Sequence, residues 1–250
     1  MGLFSYLSHS LLYHYMLKEV TNVDAPLTEP SFTSSIILPT FNEVDYLQST
    51  LASLQQQNIM LAYPDKFELI IIDSESTDGT LDLIKKYTSN ILTASGPKGK
   101  LSARHLAIQH AKGEIIISVD ADTFYPANWL NLMLRHFSNP DVVGVSSPRM
   151  FMFPNTFHSL SIAFGDSLFR SMRGSNSAFR KSAYGQSGGF NLNIDQLDIT
   201  QMIWEEEVML QRRLRQLGKV IYDFQAPIFT SNRRWLDKKH REEVRRGLRF

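Results

Sequence analysis

The sequence predicts an α/β fold with a mainly parallel sheet flanked by helices, built as a single domain with an attached subregion. Short apolar runs rich in β-branched residues, Ser35–Leu38, Leu69–Ile72, Ile115–Val119 and Val142–Val145, alternate with segments whose apolar residues recur at helical spacing. Strands that alternate with helices imply βαβ units, and their strands run parallel. With 250 residues, 43% of them hydrophobic, the chain can bury a sizeable core and is long for one domain but short for two.

Each element follows from its own residues. Phe4, Leu7, Leu11 and Tyr15 recur at helical spacing. No leading charge marks a signal peptide, and Tyr6 stands where a myristoylation pattern needs Ser or Thr, so a docked N-terminal helix is expected ahead of a polar linker over 21–34. Ser35–Leu38 reads as a buried strand stopped by Pro39. Asn42 is placed to cap a helix, with Asp45 three residues on in capping-box spacing, and Val44, Leu47, Leu51 and Leu54 form its inward stripe. A strand over Leu69–Ile72 ends at Asp73, and Ser74–Thr80 is rich in turn residues before a helix that points Leu81, Ile84 and Tyr87 inward. A weak strand at Ile91–Leu92 and a Gly96–Lys100 loop lead to a helix with Ala103, Ala107 and Ala111 on one small-residue face. After the central strand, Pro126 suits the first turn of a helix with Trp129, Met133 and Phe137 on one side. Periodicity then fails from 148 to 200, where aromatics, Gly and Arg mix and Gly185–Phe190 is the most turn-prone stretch.

Composition excludes several chemistries. The absence of cysteine rules out a disulfide scaffold, a thiolate zinc site and a Cys nucleophile. No apolar run approaches the ~18–20 residues of a membrane span. The formal charge is only +1, yet residues 233–250 hold eight Lys/Arg against three acids, a local +5. Such a segment suits an anionic lipid surface or a phosphorylated partner. It lacks the interleaved aromatics of a nucleic-acid binder apart from Trp235 and Phe250, so no nucleic-acid partner is expected.

Gly113–Phe124 is the most informative stretch. Its apolar strand ends in Asp120-Ala121-Asp122, and in a strand residues i and i+2 share a face. Two adjacent carboxylates repel unless a cation or proton neutralises them, and oxygen ligation suits Mg²⁺ or Mn²⁺. A solvated turn is the alternative reading of the same residues. In open parallel sheets ligands bind beyond the carboxyl ends of the strands, where Pro39-Thr40, Asp73 and the two aspartates all lie. Further along, Ile203, Leu210, Leu214 and Leu217 form a helical stripe completed by Glu207. An inward carboxylate is uncommon without a partner or a function. Glu205 and Glu206 fit the positive end of a helix dipole.

Taken together, the ordered motifs resemble those of the family 2 glycosyltransferases, from about Ser34 to Trp235. Pro39-Thr40-Phe41-Asn42-Glu43, Asp73 with Ser76–Thr80, Lys100 to Arg104 with Gly113-Glu114 and Asp120-Ala121-Asp122, Gly188-Gly189-Phe190-Asn191, and Glu206–Leu210 carry the resemblance. It implies the Rossmann-like glycosyltransferase A fold and inverting transfer of a sugar from a UDP- or GDP-sugar to a glycan or lipid-linked acceptor hydroxyl. Single transfer is favoured, because Ser231–Trp235 keeps only the Arg-Trp of the processive enzymes' motif. By the same resemblance, Pro39, Thr40, Glu43, Asp73, Lys100, Arg104, Asp120 and Ala121 line the nucleotide-sugar pocket. Asp120 and Asp122 hold Mn²⁺ or Mg²⁺, and Gly188, Gly189, Trp204 and Glu206 serve the acceptor. Glu207 stands where the family has its catalytic Asp, with Glu206 beside it as the other candidate base.

The implied organisation is an N-terminal helix and linker (1–33), a nucleotide-sugar half (34–147), an acceptor and catalytic half (148–232) and a basic segment (233–250). The expected location is cytoplasmic, with peripheral membrane contact through the basic segment. A nucleotidyltransferase is the nearest rival, but it needs a Gly-rich basic loop after the first strand, which Pro39–Glu43 does not supply. A catalytically inert nucleotide-sugar-binding module is the other.

Overall fold

The computed structural model describes residues 26–88, 90–93, 99–151, 170–192 and 200–231. The expected N-terminal helix, most of the Gly96–Lys100 loop and the basic segment lie outside these residues. The strands are β1 (Ser34–Thr40), β2 (Phe67–Asp73), β3 (Ile91–Thr93), β4 (Ile115–Val119), β5 (Thr123–Phe124), β6 (Val142–Ser146), β7 (Arg149–Phe151), β8 (Asn176–Arg180), β9 (Lys219–Tyr222) and β10 (Ile228–Thr230). The α-helices are α1 (Val44–Gln55), α2 (Asn58–Ala62), α3 (Thr80–Ile84), α4 (Lys100–His110), α5 (Trp129–Leu134), α6 (Lys181–Gln186) and α7 (Thr200–Leu217).

Seven strands form one sheet in the order β3-β2-β1-β4-β8-β6-β9. All run parallel except β8, which is antiparallel to both of its neighbours. The expected mainly parallel α/β sheet is therefore present, and it continues across residue 147. A second sheet, β5-β10-β7, packs the chain beyond the two aspartates against the segment before Ser231.

Alternation along the strands divides the core between the two faces. Ile36, Leu38, Ile115, Ile117 and Val119 join Leu47, Leu51, Leu54, Trp129 and Met133 on the α1 and α5 side. Ile37, Ile70, Ile72 and Ile116 join Leu101, Ala103, Ala107, Leu210 and Leu214 on the α4 and α7 side. Each large apolar side chain so buried contributes about 1.5–3 kcal/mol. The small Ala103 and Ala107 let α4 lie close on β1 and β2. Leu217, expected inward, is 41% exposed at the end of α7.

Three local expectations are corrected. β1 does not stop at Pro39 but runs through it to Thr40. Thr40 points its carbonyl toward β2, where Ser74 N–H donates to it, so alternation turns the missing Pro39 N–H toward β4. Pairing with β4 has already ended there, at Ile37, and no hydrogen bond is lost. Asn42 does not cap α1: it sits at φ 53°, and its Oδ1 accepts from Thr77 N–H. Asp78 reaches across to accept from Val44 N–H instead. Residual desolvation opposes ionisation of Asp78, but bonds from Thr80 and Val44 outweigh it and hold the carboxyl below its usual range.

The third correction is β8, which lies in the centre of the sheet within the stretch that lacked periodicity. Asn176, Ser177 and Ala178 are too small and polar to read as a strand. They are buried between β4 and β6, with the Asn176 amide donating to Ser147 and Pro148.

A buried carboxylate, Asp223, follows β9 and receives Arg135 Nη2 and His136 Nε2, each at 2.8 Å. Burial opposes its ionisation, but the His136 bond, the Gln225 N–H and the Arg135 charge outweigh burial and hold the carboxyl below its ordinary value. A depressed carboxyl contributes stability above its unfolded value, and that stability is lost as pH falls through the folded value. Asp223→Asn is expected to cost about 1–3 kcal/mol at neutral pH. In urea unfolding the gap from wild type should narrow as pH falls below about 4, the ordinary aspartate value. A gap independent of pH would contradict this account.

Candidate active site

Parallel strands deliver their carboxyl ends to one edge of the sheet, so Thr40, Asp73, Thr93 and the residue after Val119 all arrive there. Because β8 is reversed, its amino end lies at the same edge, with Asn176 opposite Val119. The loop 171–175 is thereby brought to the end of β4, where Ser118 Oγ donates to Gly174 O.

Asp120 leaves β4 directly, and Ala121 and Asp122 form a turn before β5. The expectation that a continuous strand holds both carboxylates on one face is thus corrected to a built turn. Tyr125 accepts Asp120 N–H at 2.9 Å and donates to Ser175 O. Thr50 donates to Ala121 O, and Ser231 N–H donates to Asp122 O. Burial, and then the charge of Asp120, push the Tyr125 hydroxyl well above its ordinary value, so it stays a neutral brace.

The Asp120 carboxylate is held by two cations from α4. Lys100 Nζ lies 2.7 Å from Oδ2, and Arg104 Nη2 lies 2.6 Å from Oδ1. Arg104 is completely buried, and its Nη1 donates to Glu207 Oε1 at 3.0 Å. Gly174 N–H donates to the same oxygen at 2.9 Å. Glu207, 12% exposed, and Asp120, 15% exposed, are therefore joined through one guanidinium although 87 residues separate them in sequence.

Glycine at residue 174 leaves room for the guanidinium in this position. A Cβ would fall 2.1 Å from the Arg104 guanidinium carbon, and Ser118 Oγ holds the Gly174 carbonyl at 2.7 Å.

Glu206 has a different setting, because adjacent helical residues point about 100° apart. Its Oε1 accepts from Arg213 and from Asn191 N–H, and Arg213 also donates to Gly189 O. Gly188 and Gly189 have φ of +81° and +65°, and a Cβ on Gly189 would press 3.0 Å from the Tyr184 ring. Tyr184 OH accepts from Phe190 N–H and lies 2.8 Å from His105 Nδ1. Burial pushes the Tyr184 hydroxyl up to about 12 and lowers His105. The Tyr184 O–H can then donate a hydrogen bond to Nδ1 of a neutral His105, tying this loop to α4. Both Glu205 and Glu206 lie beyond the first turn of α7, which begins at Thr200, so the helix-start explanation of these acids does not hold. Trp204 falls within α7, and its side chain lies outside the described residues.

At the other end of the edge, Asp73 is buried with both oxygens occupied. Thr40 Oγ1 and Ser76 Oγ donate to Oδ1, and Ser76 N–H donates to Oδ2. Glu43 is buried as well, and its N–H donates to Thr80 Oγ1. These residues lock two loops together beside Pro39 and Thr40.

The donor set is all oxygen. Among the described residues no group of three or more His, Asp or Glu could cage an ion. One or two carboxylates fit a hard cation that takes its remaining ligands from phosphates and water.

Sequence reasoning missed Gly174, Tyr125 and Thr50. Only Tyr125 carried a signal, as an aromatic placed just after the paired aspartates.

The family model for glycosyl transferase family 2 matches residues 35–238. The chain is 35% identical over 97 residues to the poly(ribitol-phosphate) β-N-acetylglucosaminyltransferase TarS of Staphylococcus aureus, covering 36% of this chain and 16% of that protein. It is 31% identical over 106 residues to the putative teichuronic acid biosynthesis glycosyltransferase TuaG of Bacillus subtilis, covering 40% of each. The matched segments thus span less than half the length of these relatives. Among solved structures, the mannosyltransferase PcManGT from Pyrobaculum calidifontis, in complex with GDP-Man and Mn²⁺, superposes with a TM-score of 0.64 at 21% identity. That match covers 94% of this chain and 68% of that one. The sheet order, the paired aspartates at its edge and a family match over most of the chain lead to one conclusion: the chain belongs to glycosyl transferase family 2.

Proposed function

We propose that the protein transfers a sugar, with inversion, from a nucleotide-diphosphate sugar to an acceptor hydroxyl with the help of a divalent cation. The observation that carries this reading is the Asp120–Arg104–Glu207 bridge, which holds a donor-side carboxylate and a second carboxylate in one cluster. Pro39, Thr40, Glu43, Asp73 and Ala121 shape the nucleotide pocket, in which Asp73 acts by holding Thr40 and Ser76 in place. Asp122 holds Mn²⁺ or Mg²⁺ beside Asp120. When bound, the cation neutralises the departing diphosphate. Lys100, 27% exposed beside Asp120, faces the same negative charge.

Glu207 takes the proton from the acceptor hydroxyl as the oxygen attacks the anomeric carbon, and the bond to the nucleoside diphosphate breaks on the opposite side. Glu207 is preferred to Glu206 because its partner Arg104 also holds Asp120, whereas Arg213 ties Glu206 to Gly189 O. Gly188, Gly189 and Trp204 lie on the acceptor side. The acceptor is a glycan or lipid-linked hydroxyl, in keeping with relatives named for poly(ribitol-phosphate) and teichuronic acid. UDP- and GDP-sugars are the donor classes, the second supported by the GDP-Man complex of a structural neighbour. No helix among the described residues is long and apolar enough to cross a membrane; peripheral contact with a lipid-linked acceptor through the basic segment 233–250 is part of this proposal.

The test is a screen of UDP- and GDP-sugars for Mn²⁺-stimulated turnover with water as the acceptor. Release of nucleoside diphosphate from at least one donor is expected. Binding of UDP or GDP without turnover of any donor would instead favour an inert binding module.

A further inference from the structure

Arg104 and Lys100 both sit on α4 and both bind Asp120, yet their surroundings differ. Lys100 is 27% exposed, so an incoming phosphate can reach it, whereas Arg104 is sealed at 0%. Its guanidinium lies against Gly174, close enough that even a methyl group on that residue would collide with it. Ser118, from β4, fastens the Gly174 carbonyl behind it. A diphosphate cannot contact this guanidinium without displacing the loop 171–175. Both terminal nitrogens are engaged, one with Asp120 and one with Glu207.

We infer that Arg104 is a positioning residue for the base and not a ligand of the donor. Its fork fixes the Glu207 carboxylate relative to Asp120, and so relative to the bound sugar. This inference rests on Glu207 being the base. The planar guanidinium spans two carboxylates with a defined angle between its N–H bonds, which an ammonium cannot reproduce. Gly174 completes the arrangement by donating its N–H to the same Glu207 oxygen while leaving the guanidinium room. Glu207 Oε1 thus receives two donors, and Oε2 has no hydrogen-bond partner among the described residues. Oε2 is the atom this geometry presents to an acceptor proton.

The inference is tested in the full chain with Arg104→Lys, Glu207→Gln and the double variant. Turnover is measured on the nucleotide-sugar found active in the screen, and calorimetry gives Kd for UDP and GDP with Mn²⁺. Arg104→Lys is expected to lower kcat about 10- to 100-fold, the scale of a misplaced catalytic group. KM and both Kd values should stay within about twofold, since uniform donor binding is untouched. The double variant should be as slow as Glu207→Gln alone, because groups that act as a unit are not additive. Gly174→Ala displaces the same guanidinium without changing charge; it should lower kcat in the same way, and it carries the test if Arg104→Lys does not fold.

A rise of about tenfold or more in nucleotide Kd on Arg104→Lys would make Arg104 a donor ligand and overturn the inference. Losses that multiply in the double variant, with Glu207→Gln itself impaired, would overturn the inference alone. Glu207→Gln turning over like wild type would remove both the base assignment and the inference that rests on it.

Discussion

Glu207→Gln is expected to fold, to bind donor with unchanged affinity and to lose about 10² to 10⁴ in turnover, the range contributed by a positioned general base. The amide is nearly isosteric and keeps an oxygen that can accept from Arg104 Nη1 and Gly174 N–H, the two donors now on Oε1. The local framework should therefore survive. What is lost is proton affinity at the atom facing the acceptor. Steady-state kinetics with a saturating donor, accompanied by thermal unfolding, separates these effects. A variant that melts like wild type and turns over within about threefold of it would take Glu207 out of the chemistry. The base would then have to be sought outside the Arg104 cluster.

Asp122→Asn is expected to abolish the part of donor affinity that depends on Mn²⁺. Few protein ligands are available, since no cluster of three or more candidate ligands exists among the described residues. Losing one carboxylate therefore removes much of the protein's hold on a hard cation. Even outer-shell partners of a metal cost 10- to 100-fold when mutated, so a direct ligand should cost about tenfold or more. Calorimetric titration of UDP and GDP with and without Mn²⁺ provides the measurement. In wild type the metal should tighten binding, and in the variant the two titrations should coincide. Mn²⁺-enhanced affinity retained by Asp122→Asn would contradict the assignment. The turn itself should persist, because Ser231 N–H is bonded to the Asp122 backbone carbonyl and not to its side chain.

Much of the fold was legible because its signals are local. β-branched runs such as Ile115–Val119 are buried on both faces and read as strands wherever they occur. The stripe Leu47, Leu51 and Leu54 has the helical period, and those side chains are buried on one face of the sheet. The motif order also led to the family, which the match over 35–238 supports. β8 was not legible, since Asn176-Ser177-Ala178 has little strand preference of its own and becomes a strand by pairing with β4 and β6 on either side. Nor were the caps and braces. Asp78 serves Val44 across 34 residues, and Tyr125 joins Asp120 to Ser175.

For the site, the sequence alone determined which residue types reach the sheet edge. A strand followed at once by Asp120-Ala121-Asp122 delivers carboxylates at its carboxyl end, where open parallel sheets bind ligands. It also singled out Glu207, as the one polar position in an otherwise apolar helical stripe. Only the tertiary structure decided how these groups are held. Asp120 is gripped by Lys100 and Arg104, Glu206 is bonded to Arg213 and Asn191, and Glu207 is joined to Asp120 through Arg104. The reason is one of distance: hydrogen bonds and ion pairs act over about 3 Å, and which groups come that close across 87 residues depends on how β4, β8 and α7 pack, not on their order in the chain.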